Sequence, residues 1–327
     1  MENLLEIRGL DVSFGGSKSR VNVIKGLNIE LKRGETLGVV GESGSGKSVT
    51  SLAVMGLLPQ HSAHVSGEII FEGENLLALN RRALEKLRGN KIAMIFQEPM
   101  TSLNPIQTCG KQIMEPLMLH LGMKKKEAEA RALELLKLCG ISAPQQRLRE
   151  YPHQMSGGMR QRIMIAIALA CNPSLLIADE PTTALDVTIQ AQILELMKDL
   201  KKKINMSIMM ITHDLGIVAD SCDRVVIMYA GQIVESAPTA ELFSDPRHPY
   251  TKGLLNAIPM LDKKKERLES IEGMVPDADK MPKGCRFHPR CARATEKCAA
   301  QAPRLTKCGD GRMVRCFLFS DETEENA

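Results

Sequence analysis

The sequence predicts an α/β fold in which short buried strands lead into functional loops. Three apolar runs predict such strands: TLGVV at 36–40, the apolar residues that open LLIADEP at 175–181, and SIMMIT at 207–212. The first run leads into the glycine-rich octapeptide GESGSGKS at 41–48, and the residues after it have helical composition. The second run ends in two adjacent carboxylates. Strands that alternate with helices in this way are typical of an α/β protein.

The octapeptide at 41–48 fits the G-x-x-x-x-G-K-[ST] template of a phosphate-binding loop. Its glycines lack a Cβ, so the backbone can curl and point successive N–H groups inward, and the following helix adds the positive end of its dipole. Lys47 is placed to reach the β and γ phosphates of a nucleotide, and the Ser48 hydroxyl to complete the coordination of Mg²⁺. The residues expected to contact nucleotide here are Gly41, Glu42, Ser43, Gly44, Ser45, Gly46, Lys47, Ser48 and Val49.

The acidic pair in LLIADEP suggests the second half of such a site. Burying ionised carboxylates is costly unless something cationic receives them, so we expect the pair to emerge at the carboxyl end of its strand, beside the phosphate loop. Asp179 then suits the Mg²⁺ shell, and Glu180 suits polarising an attacking water. The alternative is a pair of surface acids that caps the helix predicted over 182–200.

A second helix start suited to an anion lies at SGGMRQR, residues 156–162, before the apolar run IMIAIALAC. A Ser-Gly-Gly triplet alone is a weak signal, because most such triplets are loops. Between a phosphate loop and an acidic strand, however, it resembles the signature sequence of the ATP-binding cassette family, usually written LSGGQ, with Met155 and Met159 in place of its outer residues. The resemblance extends from about residue 4 to about residue 258.

This resemblance implies a particular version of the α/β fold. It implies an ATP-binding cassette over 1–258 with a mixed core sheet, an antiparallel β subdomain and a helical subdomain at about 98–172. Residues 259–327 are then a charged linker and a small cysteine-rich carboxyl-terminal extension of the kind found in oligopeptide importers.

The resemblance also implies roles for single residues. Gln97, at the end of KIAMIFQ, resembles the glutamine that contacts Mg²⁺ and the attacking water. His213 resembles the switch histidine that contacts the γ-phosphate, and Phe14 resembles the aromatic residue that stacks on adenine. Residues 184–186 resemble the D-loop, which crosses to a partner subunit. With Lys47 and Glu180, Gln97 and His213 form the expected catalytic set for ATP hydrolysis.

The chain carries one phosphate loop and one signature, without an internal repeat. In the family, the signature of one subunit closes over ATP held by the loop of another, so the resemblance implies a head-to-tail pair. We expect the partner to be a second ATPase subunit: a paralogue, as is usual in the importer branch of the family, with a second copy of this chain as the alternative. The signature residues expected to contact the partner's nucleotide are Ser156, Gly157 and Gly158.

The segments QEPMTSLNP at 97–105, YPHQMSGGMRQR at 151–162 and HPY at 248–250 resemble the peptide and nickel importer branch of the family. This resemblance implies two multi-span permease subunits, an extracytoplasmic substrate-binding protein, and uptake of di- or oligopeptides, with nickel as the alternative cargo. A soluble cassette ATPase acting on DNA or ribosomes is a second alternative, disfavoured because the chain has neither long coiled coils nor two cassettes. A P-loop kinase or GTPase is a third, disfavoured by SGGMRQR.

The extension is rich in cysteine, holding five of the nine cysteines of the chain. Such crowding in a reducing compartment favours a metal or cluster over disulfides, and thiolates suit either tetrahedral zinc or an iron–sulfur cluster. GCRFHPRC at 284–291 resembles the extension of peptide-importer ATPases, in which four cysteines hold a [4Fe-4S] cluster in some members. The residues that this resemblance selects are Cys285, Cys291, Cys298 and Cys316.

Cys308 is left over as an expected spectator. Structural zinc and unliganded thiols remain alternatives to the cluster. In each case we expect the extension to be a separate module, so that losing its metal would leave ATP binding intact. The other cysteines are expected to be small packed hydrophobes: Cys109, Cys139, Cys171 and Cys222.

Composition agrees with a protein of this kind. The 327 residues are 43% hydrophobic and 25% charged, which is ordinary for a globular protein. The net charge of +4 is too small to indicate a nucleic-acid partner. The amino terminus has no basic segment followed by an apolar one, and the longest apolar stretch, near 163–171, is too short to span a bilayer. We therefore expect a peripheral protein at the cytoplasmic face of the inner membrane.

Overall fold

The computed structural model of the protein describes residues 2–16, 20–183, 185–257, 271–309 and 311–319. Ala184 of the expected D-loop lies outside these ranges. So does the segment 258–270, in which we expect the cassette to end and the linker to begin.

The regular elements are named in chain order. The strands are β1 (Asn3–Phe14), β2 (Val21–Lys32), β3 (Thr36–Val40), β4 (Ala63–Phe71), β5 (Glu74–Asn75), β6 (Ile92–Ile95), β7 (Leu175–Asp179), β8 (Ser207–Thr212), β9 (Arg224–Tyr229), β10 (Gln232–Pro238), β11 (Thr306–Lys307) and β12 (Met313–Val314). The helices are α1 (Lys47–Val54), α2 (Arg81–Leu87), α3 (Pro99–Ser102), α4 (Cys109–Leu121), α5 (Lys125–Leu138), α6 (Pro144–Arg147), α7 (Gly157–Ala168), α8 (Val187–Ile204), α9 (Leu215–Ser221), α10 (Thr239–Ser244), α11 (Pro249–Asn256) and α12 (Glu296–Ala300).

The chain divides into two compact units. The first comprises Met1–Leu4, Lys32–Glu35 and Ala78–Ile211, and the second comprises Leu5–Leu31, Thr36–Leu77 and Thr212–Ala327.

In the first unit, β6, β7 and β8 pair in parallel. Every residue of β7 and β8 is buried, which explains why both read as continuous apolar runs rather than alternating ones. Helices α3 to α7 lie between β6 and β7 in the chain, and α4 packs against α5 and α7. They provide the expected helical part of the fold. No helix in the described ranges is both long enough and apolar enough to cross a bilayer.

The second unit contains an antiparallel sheet in the order β2-β1-β4-β5. It also contains β3, which pairs in parallel with β9, while β9 pairs antiparallel with β10. The expected mixed sheet and antiparallel sheet are therefore both present.

The carboxyl-terminal residues add two short strands, β11 and β12, to the sheet that contains β9 and β10. β12 pairs antiparallel with β10, bringing Val314 opposite Glu235, and β11 pairs with β12. The buried Glu235 carboxylate accepts hydrogen bonds from the backbone N–H groups of Arg247 and His248 at 2.9 Å each. These contacts fix the start of α11 relative to β10.

The cysteines of the cassette are buried, as the sequence predicts: Cys109, Cys139, Cys171 and Cys222. Burial raises the pKa of Cys139 to about 12 and that of Cys109 to about 11, so both thiols stay protonated at neutral pH. They pack as small apolar side chains.

Candidate functional site

The glycine-rich loop between β3 and α1 contains positions that only glycine can occupy. A Cβ on Gly41 would lie 2.2 Å from the carbonyl oxygen of Met228, and one on Gly46 would lie 2.4 Å from Cδ1 of Ile24. Gly46 also has a φ of 99°, in the left-handed region that side chains disfavour. The loop backbone is thus packed tightly on its inner side.

Lys47, the first residue of α1, folds back over this loop. Its side chain is buried, and Nζ donates to the carbonyl oxygens of Gly41 at 2.6 Å and Glu42 at 3.0 Å. Ser43, Gly44 and Ser48 are exposed. The loop therefore exposes backbone at Ser43 and Gly44 and the Ser48 side chain to solvent. The charge of Lys47 is held against the loop at the start of a helix.

Glu42, the second residue of the loop, is held by residues from the carboxyl-terminal part of the chain. Its backbone N–H donates to the Tyr250 hydroxyl at 3.0 Å. Its carboxylate accepts two hydrogen bonds from the Arg290 guanidinium, at 2.6 and 3.0 Å. Burial raises the pKa of Tyr250, so its hydroxyl stays protonated. Sequence reasoning missed both contacts, although Tyr250 and Arg290 lie within the HPY and GCRFHPRC segments.

In the first unit, the acidic pair stands at the carboxyl end of β7. Asp179 is the last residue of the strand and only 5% exposed. Glu180 follows with a φ of 46°, an uncommon conformation for a residue with a side chain, and its N–H donates to the Ile211 carbonyl at 2.8 Å. The left-handed backbone turns the chain sharply at the residue we expect to polarise water.

The Glu180 carboxylate is gripped by two neighbours. Gln97 Nε2 and Thr183 Oγ1 each donate to the same oxygen, Oε2, at 2.9 Å. The structure therefore brings together Gln97 and Glu180, which the resemblance placed in the catalytic set. Thr183 is an addition that sequence reasoning missed; its position three residues after Glu180 was the available signal.

The signature serine begins α7. Ser156 is its N-cap and accepts a hydrogen bond from the Met159 N–H at 3.4 Å. A Cβ on Gly158 would lie 2.9 Å from Cγ2 of Ile189, whereas the nearest neighbour of one on Gly157 is Leu185 Cδ2, at 3.8 Å. Gly158 is thus required by packing inside the subunit, and Gly157 is not.

The remaining expected residues occupy strand ends. His213 is exposed and follows β8, and Phe14 is the half-buried last residue of β1. Both belong to the second unit with the phosphate loop. The first unit holds Gln97, the signature and the acidic pair.

Four of the five carboxyl-terminal cysteines line one cavity of about 210 Å³. Cys285, Cys291, Cys298 and Cys316 all line it, together with apolar side chains that include Phe287. The backbone N–H of Cys285 donates to the Cys298 carbonyl at 2.8 Å, which ties two of the thiol-bearing segments together.

Cys308 lies elsewhere. Its Sγ faces the carbonyl oxygens of Thr306 and Phe319 at 3.8 Å, and it is not among the residues that line the cavity. This position agrees with its expected role as a spectator.

The thiols around the cavity do not converge on a point. Within the described ranges, no group of three or more His, Cys, Asp or Glu side chains is arranged so that it could hold a metal ion. Burial raises the pKa of Cys316 to about 11 and also raises the pKa of Cys285 and Cys291. The thiols of Cys285, Cys291 and Cys316 are therefore protonated at neutral pH unless a metal displaces their protons. The four cysteines predicted to hold an iron–sulfur cluster therefore line one cavity, but their side chains are not arranged to coordinate a metal ion.

A phosphate loop followed by a helix, and a buried strand that ends in paired carboxylates, define the class of P-loop ATPases. Ser156 caps α7, and the two glycines that follow it complete the segment that resembles the signature of the ATP-binding cassettes. Residues 24–183 match the family model described as "ABC transporter", and residues 234–298 match "Oligopeptide/dipeptide transporter, C-terminal region".

Whole-length relatives agree. The chain is 53% identical to the oligopeptide transport ATP-binding protein AppD of Bacillus subtilis, with all of both chains covered. It is 52% identical to the dipeptide transport ATP-binding protein DppD of Haemophilus influenzae, over 98% of this chain and 96% of that one. A dimeric ATP-binding cassette solved in a post-hydrolysis state with ADP and Pi matches with a TM-score of 0.64 and 28% identity, over 72% of this chain and 98% of that one. The chain belongs to the ABC transporter family and is an ATP-hydrolysing cassette, as the sequence predicts.

Proposed function

We propose that this chain is the ATPase subunit of a membrane importer that takes up di- or oligopeptides. The supporting observation is the similarity to oligopeptide and dipeptide transport ATP-binding proteins along the whole chain, including the carboxyl-terminal region matched at 234–298. These relatives favour peptides over nickel as the cargo. Membership in a transporter family also favours transport over the action of a soluble cassette on DNA or ribosomes.

The proposed assembly follows from the single phosphate loop and the single signature. Two cassettes, this chain and a paralogous ATPase subunit, would pair head to tail so that each signature faces the partner's nucleotide. Two multi-span permease subunits would hold the pair at the cytoplasmic face of the inner membrane, and an extracytoplasmic binding protein would deliver the peptide. ATP drives closure because it binds the closed pair better than the open one, and it shifts the equilibrium only by that difference in affinity.

We assign the steps of hydrolysis to side chains at strand ends and in the loop. Glu180 orients and polarises the attacking water, and its carboxylate is already held by two donors on Oε2. Lys47 and His213 stabilise negative charge on the γ-phosphate. Lys47 Nζ already lies against the loop that would receive the phosphates, since it donates to the carbonyl oxygens of Gly41 and Glu42.

The binding roles are assigned in the same way. Ser48, Gln97 and Asp179 would hold Mg²⁺, which when bound neutralises charge on the phosphates. Phe14 would stack on adenine, and the loop from 41 to 49 would receive the phosphates. Oxygen ligands of these types are the ones Mg²⁺ prefers.

We further propose that residues 259–327 form a linker and an extension in which a [4Fe-4S] cluster occupies the cysteine-lined cavity. The support is that Cys285, Cys291, Cys298 and Cys316 line one space, whereas Cys308 does not. Four thiolates can also close a tetrahedral zinc site, so structural zinc is the alternative to the cluster.

Transport is tested in proteoliposomes that contain this chain, its paralogous ATPase and the permeases. We expect ATP-dependent accumulation of a labelled di- or oligopeptide, and none with Glu180→Gln. Accumulation of labelled nickel but of no peptide would overturn the proposed cargo.

The cluster is tested by analysing anaerobically purified protein for iron, sulfide and zinc and by recording its visible absorbance. Colourless protein with one zinc per chain would exclude the cluster.

A further inference from the structure

The carboxyl-terminal part of the second unit holds one residue of the phosphate loop from two sides. Tyr250 accepts the backbone N–H of Glu42, and Arg290 grips its carboxylate through both terminal nitrogens. On its other side, the Glu42 carbonyl accepts from Lys47. Glu42 therefore connects the carboxyl-terminal extension with Lys47, the lysine that we expect to bind phosphate.

The Arg290 side chain is built into its surroundings. It is only 5% exposed, against 32% for Glu42. Nε donates to the Glu272 carbonyl at 2.9 Å and Nη2 to the Ile271 carbonyl at 3.2 Å, while the guanidinium lies 5.7 Å from the centre of the Tyr229 ring. A planar guanidinium fixed by carbonyls presents its remaining N–H groups in one geometry, which suits paired hydrogen bonding to a carboxylate.

The turn that carries Arg290 belongs to the cysteine-lined cavity. Residues 288–290 form a short 3-10 turn between Cys285 and Cys291, and both cysteines line the cavity. Phe287, at the start of this turn, is buried against the rings of Tyr229 and Tyr250, at centroid distances of 5.2 and 5.3 Å. Phe287 thus connects the cavity to Tyr250, one of the residues that hold Glu42.

We propose that Arg290 is a positioning residue for the phosphate loop, acting through Glu42, and that the cysteine-lined unit thereby sets the affinity of the loop for ATP. Two effects combine. The ion pair fixes the loop, and it neutralises a carboxylate that would otherwise repel a triphosphate. The proposal replaces the expectation that the extension is a separate module whose loss leaves ATP binding intact.

The inference rests on the proposed role of loop residues 41–49 in binding phosphate. Lys47→Ala tests that role by itself. If Lys47→Ala leaves ATP affinity unchanged, the assignment of the loop fails; if Lys47→Ala weakens binding but Arg290→Ala does not, only the present inference fails.

The first measurement is the Kd for ATP, from displacement of a fluorescent ATP analogue, with thermal melting to identify folded variants. We expect Arg290→Ala to raise the Kd about tenfold and Arg290→Lys to raise it less, because lysine keeps the charge but not the paired geometry. Arg304→Ala, at an exposed arginine of the same extension, should bind ATP as the wild type does. A folded Arg290→Ala protein that binds ATP within about twofold of wild type would overturn the proposal.

A double-mutant cycle separates positioning from a general structural role. Without Arg290, the Glu42 carboxylate faces the nucleotide unpaired, so Glu42→Gln added to Arg290→Ala should recover part of the lost affinity. Strictly additive losses would mean that Arg290 does not act through Glu42, which contradicts the proposal.

The cysteine unit is tested in the same assay. Cys291→Ser should weaken ATP binding in the otherwise wild-type chain but add little to Arg290→Ala, because the route to the loop is already broken. An equal loss in both backgrounds, or no loss in a protein shown to lack its metal, would overturn the link between the cavity and the loop.

Discussion

Gln97 Nε2 donates a hydrogen bond of 2.9 Å to the Oε2 atom of Glu180, 83 positions later in the sequence. The same oxygen accepts from Thr183, and Glu180 itself sits in a left-handed backbone conformation at the end of β7. The backbone conformation thus sets the direction of the Glu180 carboxylate, and hydrogen bonds from two side chains restrain it. A group that must hold a water in one orientation benefits from this restraint, because little reorganisation is left for the reaction itself.

Replacing Glu180 by Gln should abolish turnover while keeping ATP binding. Glutamine retains an oxygen that can accept from Gln97 and Thr183 but lacks the charge that polarises water. We expect kcat to fall by at least about 100-fold and the closed pair of cassettes to accumulate with ATP, measured by size-exclusion chromatography. Glu195→Gln, at an exposed glutamate of α8, is the matched control. Hydrolysis by Glu180→Gln at near the original rate would refute the assignment.

Thr183 is expected to tune the same carboxylate. Thr183→Val removes the hydroxyl that donates to Glu180 while keeping the shape, so kcat should fall about threefold to tenfold with little change in KM. Thr183→Ser keeps a donor and should retain most of the activity. Steady-state hydrolysis by the assembled pair measures both. Equal losses in the valine and serine variants would point to packing rather than to the hydrogen bond.

Features that are local in the chain were predictable from sequence. The apolar runs TLGVV and SIMMIT became the buried strands Thr36–Val40 and Ser207–Thr212 with the same bounds, and the first five residues of LLIADEP became the strand Leu175–Asp179. Ser156 became the expected helix cap. In each case a few consecutive residues determine the structure through hydrophobic burial or capping, so no distant partner had to be known.

Features that depend on distant partners were not predictable. Arg290 and Glu42 are 248 positions apart. Neither residue belongs to a periodic sequence pattern from which its partner could be predicted. β11 and β12 have two residues each, too few for any alternation to be recognised. The choice of four cysteines over Cys308 came from resemblance, and no spacing rule could derive it, because tertiary packing decides which thiols face one cavity.

The two signature glycines should respond differently to substitution. Gly158→Ala places a Cβ 2.9 Å from the γ-methyl group of Ile189, a stiff β-branched side chain, and should destabilise the subunit by about 1–2 kcal/mol. Gly157→Asp meets nothing closer than 3.8 Å and adds a carboxylate at a helix start, so the subunit should stay folded.

For Gly157→Asp the cost should appear in the assembled pair. The added charge would face the partner's triphosphate, so closure and hydrolysis should be lost while the chain still binds its own ATP. Urea unfolding of the isolated subunit and hydrolysis by the pair measure the two effects. The interpretation is wrong if Gly158→Ala is as stable as wild type or if Gly157→Asp hydrolyses ATP normally.

His248 should make stability depend on pH. It is the buried N-cap of α11, and its Nδ1 accepts a hydrogen bond of 3.0 Å from the Tyr250 N–H. Burial lowers the pKa of His248 to about 3; a hydrogen bond with the Arg315 backbone opposes this lowering, and the charge of Arg315 adds to it. Protonation would remove the cap and bury a charge. Because the unfolded chain takes up this proton at its ordinary pKa of about 6.5, the stabilisation is complete above that pH and is lost as the pH falls below it, by up to about 1.4 kcal/mol per pH unit.

His248→Asn should flatten this dependence, because Asn Oδ1 can accept from the Tyr250 N–H but does not titrate. The measurement is the free energy of unfolding in urea between about pH 7 and pH 5, compared with His61→Asn at an exposed histidine. The slope is compared rather than the absolute stability, since removing the buried ring also leaves a cavity. An unchanged slope in His248→Asn would assign the pH dependence to other groups, such as the buried Glu235 carboxylate that accepts from the backbone N–H groups of Arg247 and His248.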